Sequence, residues 1–211
     1  MSPNGTPDRL AVSEGCRRTG ADGFSLLEVL VVLVLTIILS TLAVSFAHAR
    51  LDQSRTAGAA WYVAGRLGLA RLEAVRRSAY VALQFVERDG RYRFATYVDG
   101  NRNGVRTRDI ALNVDRRLGP EEELDHQFPQ VAFGICEGVS AIEPGDTLEG
   151  GDPIRIGQST LLSFSPDGSA TSGTIYIRGR QLSQYAVRVL GTTGRTRILR
   201  FDFQNQRWSA P

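Results

Sequence analysis

A single carboxylate, Glu28, stands inside the otherwise apolar or hydroxyl-bearing run Gly23–Ala47, GFSLLEVLVVLVLTIILSTLAVSFA. An acidic side chain costs about 2.5–3.5 kcal/mol at the centre of a membrane helix and normally has a partner there, so Glu28 calls for a cation. A second constellation, Asp99-Gly100-Asn101-Arg102-Asn103-Gly104, has the D-x-N-x-N-G start of an oxygen-ligand calcium loop, with Asp99, Asn101 and Asn103 as the candidate ligands. Where such a loop carries its bidentate glutamate this chain has Ile110, with Asp109 one position earlier, so the cage is incomplete. The same Asx and glycine residues also make a tight turn without any metal. The third is Gly194-Arg195-Thr196-Arg197, at the end of a Gly/Thr-rich connection. Arg195 and Arg197 there are open to three roles: solvated turn residues, contacts to the phosphates of DNA, or contacts to a partner protein.

Catalytic chemistry finds little in the chain. No H-E-x-x-H, G-x-S-x-G, C-x-x-C or G-x-G-x-x-G is present. His48 sits at the end of the apolar run, His126 stands alone beside Asp125, and Cys136 reads as a small buried residue rather than a nucleophile. Neither an enzymatic activity nor a cofactor is expected. All 25 basic residues apart from the two histidines are arginine, and the net charge of +3 does not by itself imply nucleic acid.

The elements that must position these residues begin with the apolar run. From Phe24 to Ala47 a helix at ~1.5 Å per residue is about 36 Å long, against a hydrocarbon core of about 30 Å. Two plainer readings compete with a specialised one: a secretory signal cleaved after Ala47-His48-Ala49 with Arg17 and Arg18 as its positive flank, and a simple membrane anchor. Against the first, a secretory core is about 7–15 residues and carries no carboxylate at its start. Residues 1–22 are rich in Gly, Pro, Ser and charge and read as a disordered leader; Arg17 and Arg18 favour a cytoplasmic N-terminus. From His48 to Arg77 the positions Leu51, Trp61, Ala64, Leu67, Ala70, Leu72, Ala74 and Val75 recur near helical spacing, so the helix is expected to continue beyond the membrane. Gly58, Gly65 and Gly68 weaken it by about 1 kcal/mol each relative to Ala, and close packing of the helix on a sheet is the expected reason. After Ser78 the period changes to two. Tyr80–Val86 and Arg91–Val98 read as a hairpin about Glu87–Gly90, followed by strand candidates at 130–135, 159–165, 173–178, 185–190 and 196–203 and by an acidic Gly/Pro-rich loop at 137–153.

Gly23-Phe24-Ser25-Leu26-Leu27-Glu28 followed by some twenty apolar residues resembles the processing site of type IV pilins and type II secretion pseudopilins. With the hairpin, the D-x-N-x-N-G tip and the G-R-x-R element, the chain is most similar to the GspH/FimT family of minor pseudopilins. The resemblance covers Gly23 to about Val98 and resumes loosely from Leu161. It implies an α+β, pilin-like fold: a cytoplasmic leader (1–23), a transmembrane helix (24–47), its periplasmic half (48–79), and a β-rich periplasmic domain (80–211) on a mostly antiparallel sheet. It implies cleavage by a prepilin peptidase between Gly23 and Phe24, N-methylation of Phe24, and a role for Glu28 in neutralising the new ammonium of a neighbouring subunit. Removal of residues 1–23 leaves 211 − 23 = 188 residues, with Cys136 as the lone cysteine. The expected function is that of a structural subunit of the type II secretion pseudopilus, held in the inner membrane with other pseudopilins as partners. A DNA-binding minor pilin using Arg195 and Arg197 in DNA uptake is the alternative, and a metal-dependent periplasmic binding module a third.

Overall fold

Asp89 and Gly90 both adopt positive φ, 53° and 74°, the combination a two-residue type I′ turn requires, and so the chain reverses there between its first two strands. In the computed structural model, residues 25–143, 148, 151–157 and 159–211 are described, without the side chains of 41–49. The leader through Gly23, and Phe24 after it, lie outside the described residues. The chain divides into two units, Met1–Ala43 and Val44–Pro211. Element order is α1 (Leu26–Arg77), β1 (Val81–Arg88), β2 (Arg91–Val98), α2 (Thr107–Ala111), β3 (Arg116–Glu123), α3 (Leu124–Gln127), β4 (Ala132–Phe133), β5 (Ile154–Arg155), β6 (Leu161–Phe164), β7 (Gly173–Arg178), β8 (Gln184–Leu190), β9 (Arg195–Asp202) and β10 (Arg207–Ser209). Among the described residues no helix is long and apolar enough to cross a membrane, and the described side chains of the apolar run end at Ser40.

In the second unit the strands form two antiparallel sheets rather than one. The first has the order β3-β2-β1-β6, the second β10-β9-β8-β7-β4, with β5 also paired to β7. Both contribute to one core with one face of α1: Ala59, Ala60, Val63, Leu67, Ala70 and Ala74 meet Leu83 and Phe85 of β1, Phe164 of β6, Ile175 and Ile177 of β7 and Val187 of β8. Phe85, Phe94 and Phe133 lie with ring centroids 5.7–5.9 Å apart, two of the three pairs edge to face, a favourable arrangement for rings of this quadrupole. The small residues on the buried face of α1 let the helix approach the sheets closely.

Two carboxylates fasten a turn and a strand to the helix. Asp52, buried on α1, accepts hydrogen bonds from Arg180 N (2.8 Å) and Gln181 N (2.9 Å), pinning the β7–β8 turn to the helix. Gly179 lies so close that a Cβ there would stand 2.6 Å from Asp52 Oδ2. Further along α1, Glu122 of β3 accepts from both Tyr62 and Arg66, and Gln127 Nε2 donates to the Tyr62 hydroxyl at 3.0 Å. Strand β3 itself, RRLGPEEE, is held to β2 by opposite charges, with Arg93 Nε 3.3 Å and Arg91 Nη1 3.1 Å from Glu123.

Candidate functional site

Glu28 lies in the first turn of α1, and its backbone N–H donates to Ser25 Oγ at 3.3 Å. Ser25 is therefore an N-cap, and Ser25-Leu26-Leu27-Glu28 has the S-x-x-E spacing of a capping box, a signal that the reading of Glu28 as a charge in need of a cation overlooked. A carboxylate in a first turn also faces the positive end of the helix dipole, which offsets part of its cost. Further along, the Thr36 hydroxyl donates to Val32 O (2.9 Å) and Leu33 O (2.8 Å), and Ser40 Oγ to Thr36 O (2.6 Å). These hydroxyls spend their protons on the helix's own carbonyls and so add little polarity to the apolar surface.

The D-x-N-x-N-G loop is built from carboxylates that accept backbone N–H groups. Asp99 Oδ1 accepts from Asn101 N (3.0 Å) and Arg102 N (2.8 Å), and its Oδ2 from Gly104 N (2.8 Å). Asp115, which the sequence motif does not contain, accepts from Gly100 N (3.0 Å) and Arg106 N (2.9 Å) and is 2% exposed. Asp109 Oδ2 lies 3.4 Å from Asn101 Nδ2 and 3.1 Å from Asn103 Nδ2. Asp99, Asn101, Asn103 and Asp109 do converge, but with the two amide nitrogens rather than the amide oxygens turned inward. The loop is complete as a hydrogen-bonded turn. Among the described residues no group of three or more His, Cys, Asp or Glu side chains is placed to hold a metal.

Arg195 and Arg197 open β9, where alternation puts both on one exposed face. In register they stand opposite Leu190 and Arg188 of β8. Arg188 is met by Glu143 Oε1 at 2.5 Å, whereas neither Arg195 nor Arg197 has an ion pair among the described residues. The turn that presents them is firmly seated. Gly194, at φ +59°, donates to Leu190 O (2.8 Å), and a Cβ on it would run into Gly168 O. Arg71 Nε of α1 donates to that same Gly168 carbonyl at 2.9 Å. The turn is thus bracketed between the helix and the β6–β7 connection.

Beside this turn lies a surface that apolar spacing alone misassigns. Leu51, Trp61, Leu72 and Val75, read from the sequence with Leu67, Ala70 and Ala74 as one helical face, are about half exposed or more, Trp61 62% and Leu72 65%. Gly65 and Gly68 lie among them, and a Cβ built on either meets nothing within 4 Å. Close packing explains Gly58, where a Cβ would stand 3.0 Å from the Phe128 ring, and fails for the other two. Of these residues Gly65, Gly68 and Leu72, with Leu69, Arg71, Leu190 and the Thr193–Arg197 segment, line an open groove of about 760 Å³. Cys136, the free cysteine expected to be buried, is half-buried; desolvation by that burial pushes its thiol above the ordinary cysteine range and keeps it protonated at neutral pH.

Residues 59–194 match the model of a protein family described as type II transport protein GspH. Among solved structures, the chain is similar to the minor pseudopilin EPSH from the type II secretion system of Vibrio cholerae. Identity is 16%, 69% of this chain and 94% of that one are covered, and the TM-score is 0.43. A comparison with curated proteins found no match.

Proposed function

Because the chain belongs to the GspH family of type II transport proteins, we propose that it is a minor pseudopilin anchored in the inner membrane and assembling with other pseudopilins into the periplasmic pseudopilus that supports protein export. The observation that carries this is the reach of the family match, which runs from the middle of α1 through both sheets to the β8–β9 turn. In this reading residues 24–47 are the anchor. Their described side chains, from Leu26 to Leu39, are apolar and exposed except for Glu28 and Thr36, the pattern of a helix meant for lipid or for other helices rather than for water. A prepilin peptidase cuts between Gly23 and Phe24, Phe24 is N-methylated, and Glu28 neutralises the ammonium of a neighbour. The subunit is structural and performs no catalysis.

Deleting the chain from its host should abolish export of a type II substrate into the medium, with the substrate accumulating in the periplasm. Wild-type chain should restore export, and mass spectrometry should find the mature N-terminus at methylated Phe24. A mature chain starting at Arg50 would replace this reading by simple secretion. Undiminished export together with lost DNA uptake would favour the second reading, a DNA-binding minor pilin. That second reading is supported by the exposed face that Arg195 and Arg197 share and by their having no ion pair among the described residues.

A further inference from the structure

We propose that the outer face of α1 and the β8–β9 turn together form a docking groove for an amphipathic helix of another pilin-like subunit, one with an aliphatic ridge flanked by carboxylates four residues apart. The proposal rests on the assembly reading above and names a surface for it. At 100° per residue, Trp61, Gly65, Gly68, Leu69, Leu72 and Val75 fall within a sector of roughly 120°, the width of an ordinary core-facing stripe. That sector points away from Val63, Leu67, Ala70 and Ala74, which are 2% exposed or less. The helix thus has two apolar faces, and the described residues of this chain cover one of them.

Gly65 and Gly68 weaken a helix interior without any packing among the described residues to require them. Their use is then to lower the floor of the groove, so that a second backbone can approach where a side chain would hold it off. The wall opposite supplies the polarity. Arg195 and Arg197 are two residues apart on one strand, about 7 Å, and carboxylates at i and i+4 of a facing helix are about 6 Å apart along its axis. Arg188, in register with Arg197, is neutralised by Glu143, while Arg195 and Arg197 have no ion pair among the described residues. An approaching acidic helix would complete them. A nucleic-acid backbone would satisfy the two guanidinium groups but leave Leu69 and Leu72 against phosphates, which favours the protein occupant.

The test uses the full-length chain in its own membrane, with a photo-crosslinking residue at Leu72 and, separately, at Val32 in the apolar run. The Leu72 probe should yield a crosslinked peptide from a helix of a different pilin-like chain carrying Asp or Glu at i and i+4. Arg195→Glu with Arg197→Glu should cut that yield at least tenfold, and reversing the two acidic residues of the captured helix to Arg should restore it. Gly68→Leu should block capture while the chain remains membrane-inserted and protease-resistant. Capture of nucleic acid at Leu72, or of a protein helix whose yield ignores both charge reversals, overturns the proposal. If Val32 captures a pilin-like chain and Leu72 captures none, the groove falls and the assembly reading stands. If neither probe captures one, both fall.

Discussion

Replacing Gly68 by alanine should make the free protein more stable and the assembled system worse. A Cβ at this position meets nothing within 4 Å, so no steric term opposes the substitution. What remains is the difference in helix propensity between glycine and alanine, about 0.8–1 kcal/mol in favour of alanine. For a domain of this size 1 kcal/mol moves the melting temperature by about 2–4 °C. Thermal unfolding of the purified chain, followed through Trp61 and Trp208, should therefore show Gly68→Ala melting a few degrees higher than wild type. Gly194→Ala supplies the opposite sign. Its φ of +59° costs an L-residue about 1–2 kcal/mol, and its Cβ would strike the Gly168 carbonyl that also holds Arg71. A loss of about 2–3 kcal/mol follows, roughly 4–12 °C. Export measured in the same strains should fall for both, though only one is destabilised. A lowered melting temperature for Gly68→Ala would refute the reasoning, since it would mean that this chain already covers the outer face of its own helix.

Asp52→Ala strands the N–H groups of Arg180 and Gln181 and should cost about 2–4 kcal/mol, read as a lower urea midpoint with an unchanged slope. Asp99→Ala strands three backbone N–H groups and should lower the melting temperature equally with chelator or with calcium; a loss seen only with calcium would restore the metal reading. Burial first, then hydrogen bonds to Glu122 and Asp152 respectively, raises the phenols of Tyr62 and Tyr92 above their ordinary value of 10.0. The unfolded chain then holds fewer protons than the folded one above pH 10, so stability falls as pH rises through that value, and Tyr62→Phe with Tyr92→Phe should flatten the fall. If Arg195 and Arg197 instead bind DNA, affinity for unrelated duplexes should fall with a log-log salt slope of about −2 and vanish in the double alanine variant.

The β1–β2 hairpin was legible because its determinants are local: period-two apolar residues on both sides of Asp89-Gly90, a pair that tolerates positive φ. Strand β7 was legible for the same reason, down to its ends at Gly173 and Arg178. Strand β3 was not. RRLGPEEE has no alternation and contains both Gly119 and Pro120, and what makes it a strand is the charged rungs it forms with β2, partners distant in sequence. The division into two sheets was equally hidden, because strand spacing does not say which neighbours pair. On α1 the apolar period pointed to a helix but could not say that Leu67 and Leu72, five residues apart, face nearly opposite ways, one into the core and one out. Asp109 was legible as a neighbour of the Asp99 motif, though not as the acceptor for Asn101 and Asn103, whereas Asp115 was hidden because it enters the loop from beyond a short helix.

Strand β3 has one further consequence. It ends its sheet, and the outer edge of such a strand offers N–H and C=O groups to any chain that can pair with them. Here Pro120 removes one of those donors, Gly119 at φ +90° turns the backbone at a register shift against β2, and Arg116, Arg117, Glu121 and Glu122 load the strand with charge. A rim so built resists the addition of a further strand and the ribbon growth that an open edge invites.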